Sequence, residues 1–284
     1  MLFSQLIQRS SIIIQIALIS LCLTINVSSY AGDYLGDLTW PEAEQRFQQA
    51  PLVVIPFGAG FKEHGPHIPM NADAVVMQYL TDRAVEEKDI LVAPPVLHGW
   101  LPAFRDFPGS EVSEASVFIN YMQAISESLV RSGAKRILFL NLSIGRAGGL
   151  PISIVARELR VEHQIPTLVL NWEDMETEAT MQLAEQNAGG HADEIETSIN
   201  LFLQGDKIQM EKAVSDERLS NLKNYPGYRP GLFSRDIKDP AFSTTGQFGN
   251  ATLATKEKGE QALQIMTEQF FKAIDGFSLE PLPE

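Results

Sequence analysis

Residues 52–73 read LVVIPFGAGFKEHGPHIPMNAD, and this stretch contains a strand, a loop and the start of a helix. Its first part, Leu52–Phe57, is apolar and rich in β-branched side chains, which predicts a strand buried on both faces. Glycines and prolines interrupt residues 58–69, which predicts a loop. From Asp73 to Lys88 apolar residues recur at helical spacing. This order is typical of α/β proteins with a parallel sheet.

The same alternation continues along the chain. Short apolar runs predict strands at 90–93, 136–141 and 167–171, and amphipathic runs predict helices at 114–131, 151–160, 191–203 and 255–274. We therefore expect a mostly parallel sheet. Ligands of such sheets bind beyond the carboxyl ends of the strands, so the residues that follow each strand are the candidates for chemistry.

The first residues have the pattern of a secretory signal peptide. Arg9 precedes an apolar run at 12–23, and the segment ends in Ser29-Tyr30-Ala31, with small residues where a signal peptidase reads them. We expect residues 1–31 to be a signal peptide cleaved after Ala31, with an uncleaved anchor as the alternative. Residues 32–284, which show no linker or repeat, would then form a single domain that is periplasmic or secreted and has no stable membrane association.

The net charge and the cysteine content exclude some classes of function. The formal net charge is -14, and removal of the segment that contains Arg9 makes it -15. Nucleic acid is therefore not an expected partner. The single cysteine, Cys22, lies in the signal segment. The mature chain therefore has no disulfide, thiolate ligand or cysteine nucleophile.

Two polar segments carry residue types that bind divalent metals. The loop at 58–73 holds two histidines, a glutamate and an aspartate, whereas its glycines do not have the spacing of a nucleotide-binding loop. In the second segment, a helix from His191 would place His191, Glu194 and Ser198 in one stripe beside its buried face. On this interpretation Glu194 faces the sheet edge, and Glu196 is a first-turn carboxylate that favours the helix dipole.

These segments resemble motifs of the creatininase (creatinine amidohydrolase) family. The loop at 58–73 is similar to Gly-x-x-Glu-x-His-Gly-Pro-His-Leu-Pro followed by Asp, and residues 190–198 resemble His-Ala-Gly-Glu-x-Glu-Thr-Ser. Residues 107–110 match Phe-Pro-Gly-Thr, and residues 249–255 resemble a closing Gly-Asp-Pro-x-x-Ala-Thr region. The likeness covers roughly residues 40–275, with the four motifs in the family's order.

The resemblance implies a three-layer α/β/α fold, a homo-oligomer, and a metal-dependent hydrolase that acts on carbon–nitrogen bonds of small cyclic or linear amides. Carried over by position, His64, Asp73 and Glu194 are metal ligands, and Asp73 bridges two ions. His191 is the histidine that moves protons near the substrate.

Two departures from the family pattern bear on this mechanism. Lys62 stands where the family has its first glutamate ligand, and Ser143 stands where it has the histidine of Asn-Gly-His. Both positions serve the same ion, so we expect a single Zn²⁺ or Mn²⁺, or Fe²⁺, at the other site. Lys62 would act as a catalytic cation in place of the missing ion. Glu63 is not expected to replace the lost ligand, because in an extended loop it points away from Lys62 and His64.

The remaining candidates are substrate contacts: His67, Ser143, Arg146 and Trp172, all at the predicted ligand edge. The alternative to an amidohydrolase is a catalytically inactive scaffold that binds a small amide-like ligand or a protein partner. Phe104 favours that alternative, since many members of the family have histidine there. A serine hydrolase built on Ser143 lacks the expected Gly-x-Ser-x-Gly turn.

Overall fold

A computed structural model of the chain describes residues 31–58, 60–143, 145–216, 243 and 245–282, with the backbone alone at 145–148. The predicted signal peptide lies outside this range except for Ala31. The described residues belong to one compact unit that begins at Ala31. Among them, no helix combines the length and the hydrophobicity needed to cross a bilayer.

The centre of the fold is a parallel five-stranded sheet. Its strands are β1 (Asp33–Tyr34), β2 (Leu52–Phe57), β3 (Ile90–Val92), β4 (Arg136–Asn141) and β5 (Thr167–Asn171). They lie in the order β1-β3-β2-β4-β5, and every pairing is parallel. The predicted strands at 52–57, 136–141 and 167–171 are confirmed, and the strand predicted at 90–93 ends one residue earlier.

Helices cover both faces of the sheet. They are α1 (Trp40–Gln48), α2 (Ala72–Glu87), α3 (Ala115–Ser132), α4 (Gly145–Glu162), α5 (Trp172–Met175), α6 (Glu178–Met181), α7 (Glu194–Gln204) and α8 (Lys256–Ser278). A short antiparallel pair, β6 (Ser215–Asp216) and β7 (Gly249–Asn250), lies outside the main sheet.

Alternate residues of each central strand enter different hydrophobic cores. Val54 packs with side chains of α2, α7 and α8, whereas Val53 and Ile55 pack with side chains of α3 and α4. Burial of such a side chain contributes roughly 1.5–3 kcal/mol. The fold is therefore the expected three-layer α/β/α arrangement, and the carboxyl ends of β2, β4 and β5 meet at one edge of the sheet.

One predicted helix boundary is wrong in a way that matters for the site. The helix expected from His191 begins at Glu194, because the Asp193 side chain accepts the backbone N–H groups of Ile195 and Glu196 and so acts as the N-cap. His191 instead has an extended backbone that pairs with Phe248. His191 and Glu194 therefore do not share a helical face.

Candidate functional site

A cluster of buried charged side chains lies beyond the carboxyl end of β2. His64, Asp73 and Glu196 each direct one ligand atom into it, and these atoms lie within 4.8 Å of one another. His64 Nε2 is 2.9 Å from Asp73 Oδ1 and 3.3 Å from Glu196 Oε1. The loop after β2 carries His64, the first turn of α2 carries Asp73 and the first turn of α7 carries Glu196.

Lys62 reaches into the same cluster. Its Nζ lies 2.6 Å from Asp73 Oδ2 and 2.6 Å from His64 Nε2, and the residue is 1% exposed. The ammonium also lies 5.6 Å from the centre of the Phe104 ring. A cation thus stands beside the acidic ligand atoms, at the position where the resemblance implies a glutamate.

Opposite charges favour the ionised forms of His64 and Glu196. Burial and Lys62 act to lower the pKa of His64, but Asp73 and Glu196 outweigh them and raise this pKa to about 9. Burial opposes ionisation of Glu196, yet the charges of His64, His191 and Lys62 hold its pKa far below the usual range. His64 and Glu196 therefore attract one another as opposite charges, and an ion that binds at His64 Nε2 would displace its proton.

His191 lies on the side of the cluster that is more exposed to solvent. It is 12% and Glu196 15% exposed, against 0% for His64. His191 Nδ1 is 3.6 Å from Glu196 Oε2, and the two histidine rings are 5.4 Å apart. The Phe104 ring packs 4.7 Å from the His191 ring. The structure therefore brings together four of the predicted site residues: Lys62, His64, Asp73 and His191.

Glu194 does not belong to this cluster. Its carboxylate accepts the backbone N–H groups of Glu185 and Gln186 at 2.8 Å each, and it forms an ion pair with Lys258. Because Glu194 and Glu196 are two positions apart on a helix, their side chains point in nearly opposite directions. The prediction that Glu194 faces the cluster is therefore wrong, and Glu196 has that place.

The predicted substrate contacts are less closely grouped. His67 Nε2 is hydrogen-bonded to Thr197 Oγ1 at 2.8 Å, while its Nδ1 is buried and has no partner among the described residues. Ser143 Oγ donates to Asn141 Oδ1 at 2.8 Å. Trp172 is half-buried and packs on the core. The Arg146 side chain lies outside the described residues.

The donor set fits one divalent ion. An imidazole nitrogen and two carboxylate oxygens suit Zn²⁺, Mn²⁺ or Fe²⁺. His64 Nδ1 donates to the Lys62 carbonyl oxygen at 3.0 Å, and this bond fixes the ring with Nε2 toward the two carboxylates. Ser143 adds no ligand to the set, since its hydroxyl is bonded to Asn141. Lys62 offers an ammonium, which cannot ligate an ion while it is protonated.

Comparison with known proteins shows the family to which the chain belongs. The family profile described as Creatininase: Creatinine amidohydrolase matches residues 36–274. The chain belongs to the creatininase family. Creatinine amidohydrolase of Pseudomonas putida is 27% identical over 258 residues, which are 85% of this chain and 95% of that protein. The 3-dehydro-scyllo-inosose hydrolase of Thermotoga maritima is 24% identical over 86% of this chain and 83% of that protein.

Solved structures of creatininases have the same fold. A mutant creatininase of the Zn-Zn type has a TM-score of 0.72 and 26% identity, over 87% of this chain and 98% of that one. A creatininase Mn structure has a TM-score of 0.71 and 25% identity, over 88% and 100% of the two chains. These two structures are a zinc form and a manganese form. They support a divalent metal for the family as a whole.

Sequence reasoning missed Glu196 and Glu63, for different reasons. An Asp193 followed three residues later by Glu196 is a signal for a helix that starts between them, and it could have placed Glu196 correctly. The role of Glu63 has no local signal. Its Oε1 lies 2.9 Å from His191 Nε2, in a segment 128 positions away.

Proposed function

We propose that the protein hydrolyses the carbon–nitrogen bond of a small cyclic or linear amide with one divalent ion and one lysine cation. The observation that carries this proposal is the Lys62 ammonium, which lies 2.6 Å from both Asp73 and His64. A cation at that position takes over the charge balance that a second ion would supply. His64, Asp73 and Glu196 would hold the single ion.

The ion, when bound, would supply a Lewis acid that polarises the amide carbonyl. The protein's own groups then have separate tasks. The Lys62 ammonium stabilises negative charge that develops on the carbonyl oxygen, since it is buried and already oriented by Asp73. His191, on the more exposed side, takes a proton from the attacking water and returns it to the leaving nitrogen.

Metal content is the direct test of the proposed site. Residues 32–284, purified without chelator, should contain about one equivalent of a transition metal by mass spectrometry. His64→Ala and Asp73→Asn should lose it. His98→Ala is the matched control, because His98 is exposed and paired with Glu111 away from the cluster. Two equivalents in the parent protein would contradict the proposed role of Lys62, and no metal under any loading condition would contradict the hydrolase proposed here.

Restoring the family's ligands gives an opposite test. Lys62→Glu together with Ser143→His should raise the content to about two equivalents, because it supplies the carboxylate and imidazole that the second ion requires. Lys62→Met should abolish hydrolysis across a panel of amides and lactams. Full activity of Lys62→Met would exclude a catalytic role for this lysine.

A second candidate function is a catalytically inactive, ligand-binding member of the family. The packing of Phe104 favours it, since this 4% exposed ring lies against both His191 and Lys62. On this hypothesis, an amide raises the melting temperature but is not hydrolysed. If Phe104 is the cause of the inactivity, Phe104→His should hydrolyse an amide that the parent protein only binds.

We also propose that the chain is exported and cleaved after Ala31. The apolar run without charge and the Ser29-Tyr30-Ala31 ending support this proposal. Amino-terminal sequencing of the protein isolated from a periplasmic extract should begin at Gly32. An intact amino terminus in the membrane fraction would indicate an uncleaved anchor instead.

A further inference from the structure

Glu63 and His191 form a contact that the metal cluster does not use. His191 Nε2 lies 2.9 Å from Glu63 Oε1 and 3.0 Å from the Glu63 backbone carbonyl oxygen. Glu63 is 8% exposed and His191 is 12% exposed at its side chain. The contact is therefore largely shielded from water. It lies on the opposite side of the imidazole from Glu196.

The position of these atoms determines which nitrogen of His191 carries a proton. A backbone carbonyl oxygen can only accept a hydrogen bond, and the carboxylate beside it accepts as well. Both groups therefore require an N–H at Nε2. The other nitrogen, Nδ1, lies 3.6 Å from Glu196 Oε2, which is too long for a direct hydrogen bond. Nδ1 thus faces the cluster without a close partner of its own among the described residues.

Three further contacts hold Glu63 in place, two at its carboxylate and one at its backbone. Its Oε2 accepts the backbone N–H of Gly65 at 2.7 Å, and its own backbone N–H donates to Ser110 Oγ at 3.0 Å. Gly246 packs directly on the carboxylate, where a Cβ would come within 2.0 Å of Oε2. Any side chain at position 246 would therefore collide with the Glu63 carboxylate in this position.

We infer that Glu63 is a positioning residue, which holds His191 with Nε2 protonated and with Nδ1 turned toward the site as the atom that transfers the proton. This inference rests on the proposed function only for the role of His191 in proton transfer. The hydrogen bonds that orient its ring do not depend on that function. In the hydrolysis proposed above, an O–H bond of water breaks, its proton binds Nδ1, and the water oxygen bonds the carbonyl carbon. The same proton then passes from Nδ1 to the leaving nitrogen as the carbon–nitrogen bond breaks.

The tautomer can be measured without any substrate. Long-range proton–nitrogen NMR of histidine-labelled protein, as purified with Zn²⁺ as the metal, should show a His191 ring with a protonated Nε2 and an unprotonated Nδ1. The chain has five histidines, and the signals of His191 are those lost in His191→Gln. Glu63→Met keeps the length of the side chain but removes the acceptor. It should shift the tautomer signal toward a mixture, while Glu63→Gln, which retains an acceptor oxygen, should restore most of it.

Kinetics separate positioning from simple stability. Glu63→Met should lower kcat by about 10- to 100-fold with little change in KM, and Glu63→Gln should recover part of the loss. Ser110→Ala is the matched control, because it removes a hydrogen bond from the same residue without touching the carboxylate. It should leave the NMR signal and kcat unchanged.

A folded Glu63→Met protein with the parental tautomer signal would overturn the inference. So would an equal effect in Ser110→Ala. If no amide is hydrolysed by the parent protein, the proposed function fails, and the NMR signals still decide whether Glu63 positions His191.

Discussion

Among the described residues, two lysines pair with a buried carboxylate, and only one of these pairs resembles a site. Lys62 pairs with Asp73, and Lys258 pairs with Glu194. In the Lys258 pair every acceptor has a fixed donor, because two backbone N–H groups and the lysine bind the Glu194 carboxylate. Around Lys62, a histidine nitrogen and a second carboxylate, Glu196, share the same small space. Buried charge alone thus does not identify a functional site; several groups that converge on one point do.

The largest effect on stability should come from the Lys258 pair. Glu194→Gln removes a 0% exposed anion that binds two backbone N–H groups and Lys258. Lys258 is partly exposed and keeps its ion pair with Glu185, so we expect a loss of about 3 kcal/mol in the free energy of unfolding. Denaturation in urea measures this loss. Metal content per folded molecule should not change. A small loss of stability accompanied by loss of metal would reverse the roles given to Glu194 and Glu196.

A third carboxyl, that of the half-buried Glu176, has no cation among the described groups that shift its pKa, and it should behave differently from both pairs. Burial and the negative charges of Asp193, Glu173 and Glu196 raise its pKa from the ordinary glutamate value of 4.5 to about 7. Between these two values the folded protein binds more protons than the unfolded one. Stability should therefore fall as pH rises from 4.5 to 7, by at most about 1.4 kcal/mol per pH unit.

Glu176→Gln should remove that slope and raise stability above pH 7. Thermal unfolding across the pH range measures it, and Glu260→Gln, at an exposed position of α8, is the control. An unchanged slope in Glu176→Gln would show that another group titrates.

The smallest expected effect concerns metal affinity. Lys62→Met removes a positive charge next to the ligand atoms. Because this charge repels Zn²⁺, its removal should strengthen Zn²⁺ binding by about tenfold or more. Titration calorimetry of the metal-free protein measures this change. Lys258→Met is the matched control, with Lys88→Met at the surface as a substitute if the first variant does not fold. Equal strengthening in a control would mean that net charge, and not the position of Lys62, is responsible.

Much of the fold could be predicted from local patterns. The strands at 52–57, 136–141 and 167–171 agree with the structure because buried parallel strands are short, continuous apolar runs. The helix at 114–131 is displaced by one residue at each end. The helix expected at 151–160 is longer, at Gly145–Glu162, because Pro151 lies inside it where the sequence suggested a beginning.

The site could be predicted only in part. His64 and Asp73 could be predicted as neighbours because they belong to one loop motif that precedes a helix, only nine positions apart in the chain. Glu194 and Glu196 flank Ile195, whose side chain packs in the core, so the helical pattern alone does not rank them. The sequence does not show that Glu194 meets Lys258 of α8 while Glu196 meets His64.

The sequence by itself determined the parallel sheet, the membership of the family and the replacement of two expected ligands by Lys62 and Ser143. These properties depend on residue types and on spacings within single segments. Only the tertiary structure decided that Glu196 joins His64 and Asp73, that Lys62 points into the cluster, and that Glu63 bonds His191. Those contacts join segments far apart in the chain, and their geometry depends on how α7 caps and packs, which no local pattern specifies.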